Sequence, residues 1–254
     1  MILKPRPFRK PDLGHPLSRG LVGCWLMTEG GGNIVQDLSG NGLHGTFAGD
    51  PTWTAGSDGP AITFDGTGDS IPLTSSLIKT PTVTVVAKVK MDSFVGAIGA
   101  GIVASNNSQL AWRLTTTTTN DTIKFSINAY NTDIAFGTSN LSTGTYYSLA
   151  GLYDGTNVKV YVDGVSGTPV AAAGPITYGV DFEIGRQFTT DTYAFEGDIE
   201  FVYIFNRALS PTEIQSLYIN PYQMFRRKPI ELWTAASPAA APGGVVIFRR
   251  RIAG

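Results

Sequence analysis

Glu196-Gly-Asp198-Ile-Glu200 is the sharpest candidate for catalytic chemistry in the chain. In an extended strand, carboxylates at alternate positions share one face. Glycoside hydrolysis uses a pair of carboxyl groups, one as acid and the other as nucleophile or base. A retaining pair stands about 5–5.5 Å apart, whereas the Cα atoms of Glu196 and Glu200 would lie about 13 Å apart on a straight strand. The side chains would have to converge, and no Trp-rich cleft sequence surrounds them. The competing reading is a structural strand with Ile199, Phe201 and Tyr203 facing a core. The expectation is therefore a protein that is not an enzyme.

Other constellations are sparse. His15 lies in a proline-rich stretch and His44 in a turn, so neither a zinc cluster nor a histidine-based triad can be assembled. The single cysteine, Cys24, excludes an internal disulfide and sits in the apolar run Leu21–Met27, where it reads as a small buried hydrophobe. Thr115–Thr119 is a β-branched run that suits a strand end and carries no chemistry by itself.

Elements that could position such residues are mostly strands. Val83, Val85, Ala87, Val89 and Met91 alternate with polar residues, as do Ile123, Phe125 and Ile127 with Lys124, Ser126 and Asn128 facing out. Asp154-Gly-Thr-Asn157 links residues 145–153 to 158–162 as a hairpin. Further strands are expected at 21–27, 61–64, 98–105, 110–115, 181–184 and 195–206. More than ten strands with period-two faces, about as many as a two-sheet fold needs, predict an all-β antiparallel sandwich. One short C-terminal helix is expected. Ser210-Pro211-Thr212-Glu213 supplies N-cap, first-turn Pro and capping-box Glu, Ile214, Leu217 and Tyr218 form a stripe, and Asn220-Pro221 ends it.

The net charge of −1 hides an asymmetry. Residues 1–20 carry five basic residues against one acidic, and residues 220–254 carry six against one. The remaining 8 basic and 18 acidic residues leave the centre at −10. The expected organisation is an extended N-terminal arm over 1–19, a body over 20–219 and an extended basic C-terminal arm over 220–254. Arg6, Arg9, Lys10, Arg226, Arg227, Lys228, Arg249, Arg250 and Arg251 are the anchoring candidates. These basic residues are interleaved with proline and apolar residues and accompany no nucleic-acid module, so acidic protein surfaces are the expected partners and nucleic acid is not. No stretch is apolar and long enough for a membrane helix, and the N-terminal run lacks the apolar segment of a secretory signal. Synthesis in a cytoplasm, without membrane association, is expected.

Five segments in order carry a resemblance: Gly20-Leu-Val-Gly-Cys-Trp25, Asp37-Leu-Ser-Gly-Asn-Gly-Leu-His-Gly45, Ile62-Thr-Phe-Asp-Gly66, Tyr153-Asp-Gly-Thr-Asn-Val-Lys-Val-Tyr-Val-Asp-Gly164 and the run from Gly197 to Ser210. Together, over about residues 20–218, they resemble the laminin-G-like, concanavalin A-like jelly-roll family. The resemblance implies a jelly roll with glycan binding as its commonest activity, and Tyr130, Tyr178 and Tyr193 are the candidate stacking residues. Family glucanases use a Glu-x-Asp-x-Glu strand, which keeps a hydrolase as a further alternative. No cofactor is expected beyond a possible structural calcium, for which the matching positions are Asp37, Asp65 and Glu200, with Asp69 nearby. The family commonly has Asp where Glu200 stands, and Asp37 and Asp65 could instead cap turns.

Asn220-Pro221-Tyr222-Gln223-Met224-Phe225 is similar to the tail that follows such domains in bacteriophage and prophage proteins. It implies a structural protein of a phage-like virion, such as a capsid decoration protein, held by its arms to the major capsid protein or to neighbouring copies as a homo-oligomer. The alternative is a tail or fibre module recognising a host surface glycan. The expected destination is the virion.

Overall fold

A computed structural model describes residues 3–74, 76–94, 99–106, 110–117, 121–128, 133–137, 140–172, 174–178, 181–188 and 191–225. Two antiparallel sheets face one another. The larger contains strands Val165–Ser166, Asn157–Val162, Tyr146–Tyr153, Val83–Met91, Glu196–Phe205, Pro60–Asp65 and Thr52–Ala55 in that order. Leu21–Trp25 joins it along Glu196–Phe205, and Val170–Ala171 joins along Asn157–Val162. The smaller sheet runs Ile134–Phe136, Thr122–Ile127, Trp112–Thr117, Gly101–Ser105, Phe182–Ile184 and Ile71–Leu73. The expected sandwich is what forms, with Thr52–Ala55, Ile71–Leu73 and Ile134–Phe136 as strands that the sequence reading did not name.

Alternating apolar residues from both sheets meet between them. Val85, Ala87, Val89, Val158 and Val160 oppose Trp112, Leu114, Ile123, Phe125 and Phe182 in one core cluster. Gly151 leaves room for Phe125 of the facing sheet, because a Cβ there would come within 2.2 Å of that ring. Hairpin Tyr146–Tyr153/Asn157–Val162 is set by Asp154, whose carboxylate accepts the N–H groups of Thr156 at 3.0 Å and Asn157 at 2.8 Å.

A second cluster covers the other face of the larger sheet and corrects part of the expectation. The register between Glu196–Phe205 and Val83–Met91 slips between Ile199 and Phe201, placing Glu200 at a β-bulge. Ile199 faces the inter-sheet core, but Phe201, Tyr203 and Phe205 belong to the outer cluster, while Val202 and Ile204 turn inward. One extra residue reverses every side chain after it. The outer cluster is closed by helix Pro211–Ile219, through Ile214 and Leu217, and by Leu17, Tyr222, Met224 and Phe225. The capping box forms as expected, but Tyr218 is 42 % exposed and leaves the buried stripe.

Packing continues past both expected boundaries of the body. Asp12 donates its N–H to the carbonyl of Met224 at 2.7 Å, Leu17 and Ser18 are buried, and Lys4 donates from its backbone to Asp58 at 3.1 Å. Arg6, Arg9 and Lys10 remain exposed. Arg226, Arg227, Lys228, Arg249, Arg250 and Arg251 lie outside the described residues. No helix among the described residues is long and apolar enough to cross a membrane.

Candidate functional site

The smaller sheet buries Trp112, Leu114, Ile123 and Phe125 on its inner face, so alternation turns Arg113, Thr115, Lys124 and Ser126 to the other. Thr115 pairs with Lys124, and Arg113 with Ser126. Extending the register outward sets Phe136 beside Lys124 and Ile134 beside Ser126. In the other direction Arg113 pairs with Ala104, and Ala104 with Glu183. The result is a band that is polar on the two central strands and flanked by Phe136 and Ile134 on one side and by Ala104 and Glu183 on the other.

These side chains are buried: Arg113 and Thr115 are each 1 % exposed and Lys124 is 6 % exposed. Arg113 donates to the carbonyls of Leu110 at 3.1 Å and Asn128 at 2.7 Å, and burial lowers its guanidinium to about 10. Lys124 is lowered to about 8, first by burial and then by the Arg113 charge. The hydroxyls of Thr115 and Thr122 are buried with no hydrogen-bond partner. Such groups normally find one, and both hydroxyls lie on adjacent strands of this band. Aromatic rings border it. Phe136 is 45 % exposed on one side. On the other, Arg113 stands 5.5 Å from the Phe188 ring, which meets Tyr193 edge-on at 5.2 Å.

The tyrosines named from sequence fare differently. Tyr193 reaches the rim through Phe188. Tyr178 packs near Phe182 and donates its hydroxyl to Thr80 at 2.9 Å, a packing position in which burial pushes the phenol up to about 12. Tyr130 lies outside the described residues. The outward direction of Lys124 and Ser126 was legible, but their role was not. Its signal was the alternation of Arg113 and Lys124 with large apolar residues in two consecutive strands.

The Glu196–Glu200 strand holds its carboxylates in internal bonds on the larger sheet. Glu200 is fully buried; it accepts from the Asp58 N–H at 3.0 Å and Ser57 hydroxyl at 3.2 Å, and lies 3.3 Å from Lys88 Nζ. Lys88 also meets Asp58 at 2.7 Å, and Lys4 donates to the carbonyls of Pro60 and Glu200. Asp198 is held by Lys90 at 2.8 Å, Tyr146 at 2.8 Å and Thr63 at 2.7 Å, while Ser93 donates to Glu196.

The proposed calcium positions do not converge. Asp37 accepts the N–H groups of Cys24, Ser39 and Leu43 at 3.0, 2.9 and 3.0 Å, which is turn capping. Glu200 faces Lys88. Only Asp65 joins an acidic group, with Asp50 and Asp69, whose carboxylate oxygens lie within 4.8 Å of one another. Three hard oxygen donors match calcium chemistry. Asp69 also accepts the N–H groups of Asp50 at 2.8 Å and Asp65 at 3.2 Å, and burial raises its carboxyl.

No curated protein sequence matches the chain. Solved structures share its fold at low identity. Domain 4 of AbnA, an extracellular arabinanase from Geobacillus stearothermophilus in complex with arabinotriose, superposes with TM-score 0.63 and 20 % identity, covering 78 % of this chain and 98 % of that one. The binding domain of Paraclostridial Mosquitocidal Protein 1 gives 0.62 and 14 %, covering 80 % and 52 %. Trypanosoma rangeli sialidase in complex with sialic acid gives 0.59 and 16 %, covering 81 % and 33 %. The chain thus spans all but a sliver of the first, about half of the second and a third of the last. The family model for the concanavalin A-like lectin/glucanases superfamily matches residues 65–215, more than half of the chain, which therefore belongs to that superfamily.

Proposed function

We propose that the protein is a non-enzymatic glycan-recognition module whose ligand lies along the polar face of the smaller sheet. The observation that carries this reading is the exposed ring of Phe136 beside Lys124, on a sheet face whose other side carries the Phe188–Tyr193 pair. Saccharides combine hydroxyls that need directed hydrogen bonds with apolar ring faces that stack on aromatic side chains. The domain 4 structure with arabinotriose supports the fold's capacity to carry a saccharide site. Internal bonding of Glu196, Asp198 and Glu200 supports a non-catalytic role.

The test is a glycan array probed with the full chain. Binding should be confined to a subset of glycans and fall about tenfold in Phe136→Ala, which removes an exposed ring without opening the core. A blank array, or binding indifferent to that change, would overturn the assignment. Hydrolysis of a β-glucan that disappears in Glu196→Gln would overturn the non-enzymatic part. Display on a phage-like particle is the role we propose for the whole chain, on the likeness of its tail to those of virion proteins. Removing residues 226–254 should then abolish incorporation, and unchanged incorporation would refute it. A structural calcium would be held by Asp50, Asp65 and Asp69; chelation should then lower the unfolding midpoint, and Asp65→Asn should remove the effect.

A further inference from the structure

The outer face of the larger sheet changes character where helix Pro211–Ile219 stops covering it. Val86, Ala150 and Leu152 pack in the apolar cluster that the helix closes. One pleat further along the same strands, that face presents Lys88 and Ser148, paired across the ladder, with Phe201 opposite Lys88 on the third strand. Asp163 extends the row: its N–H donates to the Ser148 carbonyl at 2.7 Å, and its Oδ1 accepts the Ser148 N–H at 2.8 Å. The order across the sheet is therefore ring, ammonium, hydroxyl, carboxylate. With Asp58, Tyr146 and Tyr218 these side chains line a cavity of about 350 Å³, a size that small-molecule sites share. The Asp163-Gly164 turn lies close against the helix, since a Cβ on Gly164 would come within 2.4 Å of Gln215 Oε1 and 3.2 Å of the Tyr218 ring. Lys88 stands 2.7 Å from Asp58 and 3.3 Å from Glu200, so its charge is matched while one of its three protons stays free. Asp163 Oδ2 and the hydroxyls of Ser148 and Tyr218 have no partner among the described residues, and none of the three side chains is fully buried. Burial raises the Asp163 carboxyl, against the Ser148 N–H and the Lys88 charge, which lower it.

We infer that this cleft is a second ligand site, on the sheet opposite Phe136, and that it takes a neutral sugar ring. An anionic ligand would face Asp58 and Asp163 in the cavity, and a cationic one would face Lys88. A hydroxyl group suits both. Asp163 Oδ2 only accepts and Lys88 only donates, while Ser148 between them can do either. Adjacent ring hydroxyls supply a donor to the first and an acceptor to the second. The exposed Tyr218 ring offers a surface on which the apolar face of the sugar stacks. This cleft does not depend on the Phe136 face, and together the two would let one molecule bridge two glycan strands.

Titration of the full chain with arabinotriose, glucose, glucuronate and glucosamine, followed through backbone amide shifts, tests this directly. A neutral sugar should move the amides of Ser148, Asp163 and Gly164. Asp163→Asn keeps an oxygen for the Ser148 N–H, and with it the turn, yet should weaken binding at these amides about tenfold. Tyr218→Ala should do the same, because it removes an exposed ring without opening the core. Glucuronate and glucosamine should bind no more tightly than glucose, and a preference for either overturns the neutral class. Shifts confined to residues 122–127 and 134–136, or indifferent to both variants, overturn the cleft and leave the Phe136 face standing. Shifts at the cleft alone keep this site and sink the Phe136 reading. Failure of every sugar to move any amide overturns both.

Discussion

Lys4 and Lys124 both sit where burial opposes their charge, at about 7 and about 8 respectively. In the unfolded chain both return to about 10.4. Between the folded and unfolded values the unfolded chain binds protons that the native state does not, so stability rises with pH. The cost of both charges is fully present below pH 7 and is relieved progressively toward pH 10. The urea midpoint should therefore increase across that window, and Lys124→Met should flatten the part above pH 8. Glu200 makes the opposite case. Its carboxylate is matched by Lys88, Ser57 and the Asp58 N–H. Glu200→Gln should destabilise by about 3 kcal/mol in chemical denaturation, because Lys88 then keeps only Asp58. Sequence spacing located this acidic strand. It did not disclose that lysines from residues 4, 88 and 90 would occupy it, because those pairings cross more than a hundred positions of the chain.

Element boundaries were legible wherever periodicity or turn chemistry was local. The Asp154–Asn157 hairpin and the Ser210–Glu213 capping box formed where their residues required. The bulge at Glu200 was not legible. Nothing in Ile199-Glu200-Phe201 marks a break, since the slip is decided by pairing with Val83–Met91 and by the shift of partner strand from Pro60–Asp65 to Leu21–Trp25. Its result is a second apolar face under the helix. Contacts between the sheets are equally long-range. Gly151→Ala would push a methyl group into Phe125 and should lower stability by about 1–3 kcal/mol, read from the thermal or urea midpoint.

At the scale of the molecule, the N-terminal segment is part of the packed body as well as a carrier of exposed basic residues. Deleting residues 1–19 removes Lys4 from the Asp58–Glu200 network and uncovers the cluster containing Leu17 and Phe225. The sandwich should then lose about 2–4 kcal/mol in equilibrium unfolding, because a buried ionic network and apolar surface are opened together. An unchanged midpoint would show that the segment contributes nothing to the body. The sequence by itself determined the all-β class, the principal strands, the helix and the family resemblance, because those follow from alternation, capping and turn residues within a few positions of one another. Tertiary structure alone decided that Arg113, Lys124, Thr115 and Phe136 share one face, that Asp37 and Glu200 stand apart from Asp65, and that the carboxylate strand is occupied by lysines. Those outcomes depend on strand order and register, which are fixed by burying apolar surface over the whole chain rather than by any local run of residues.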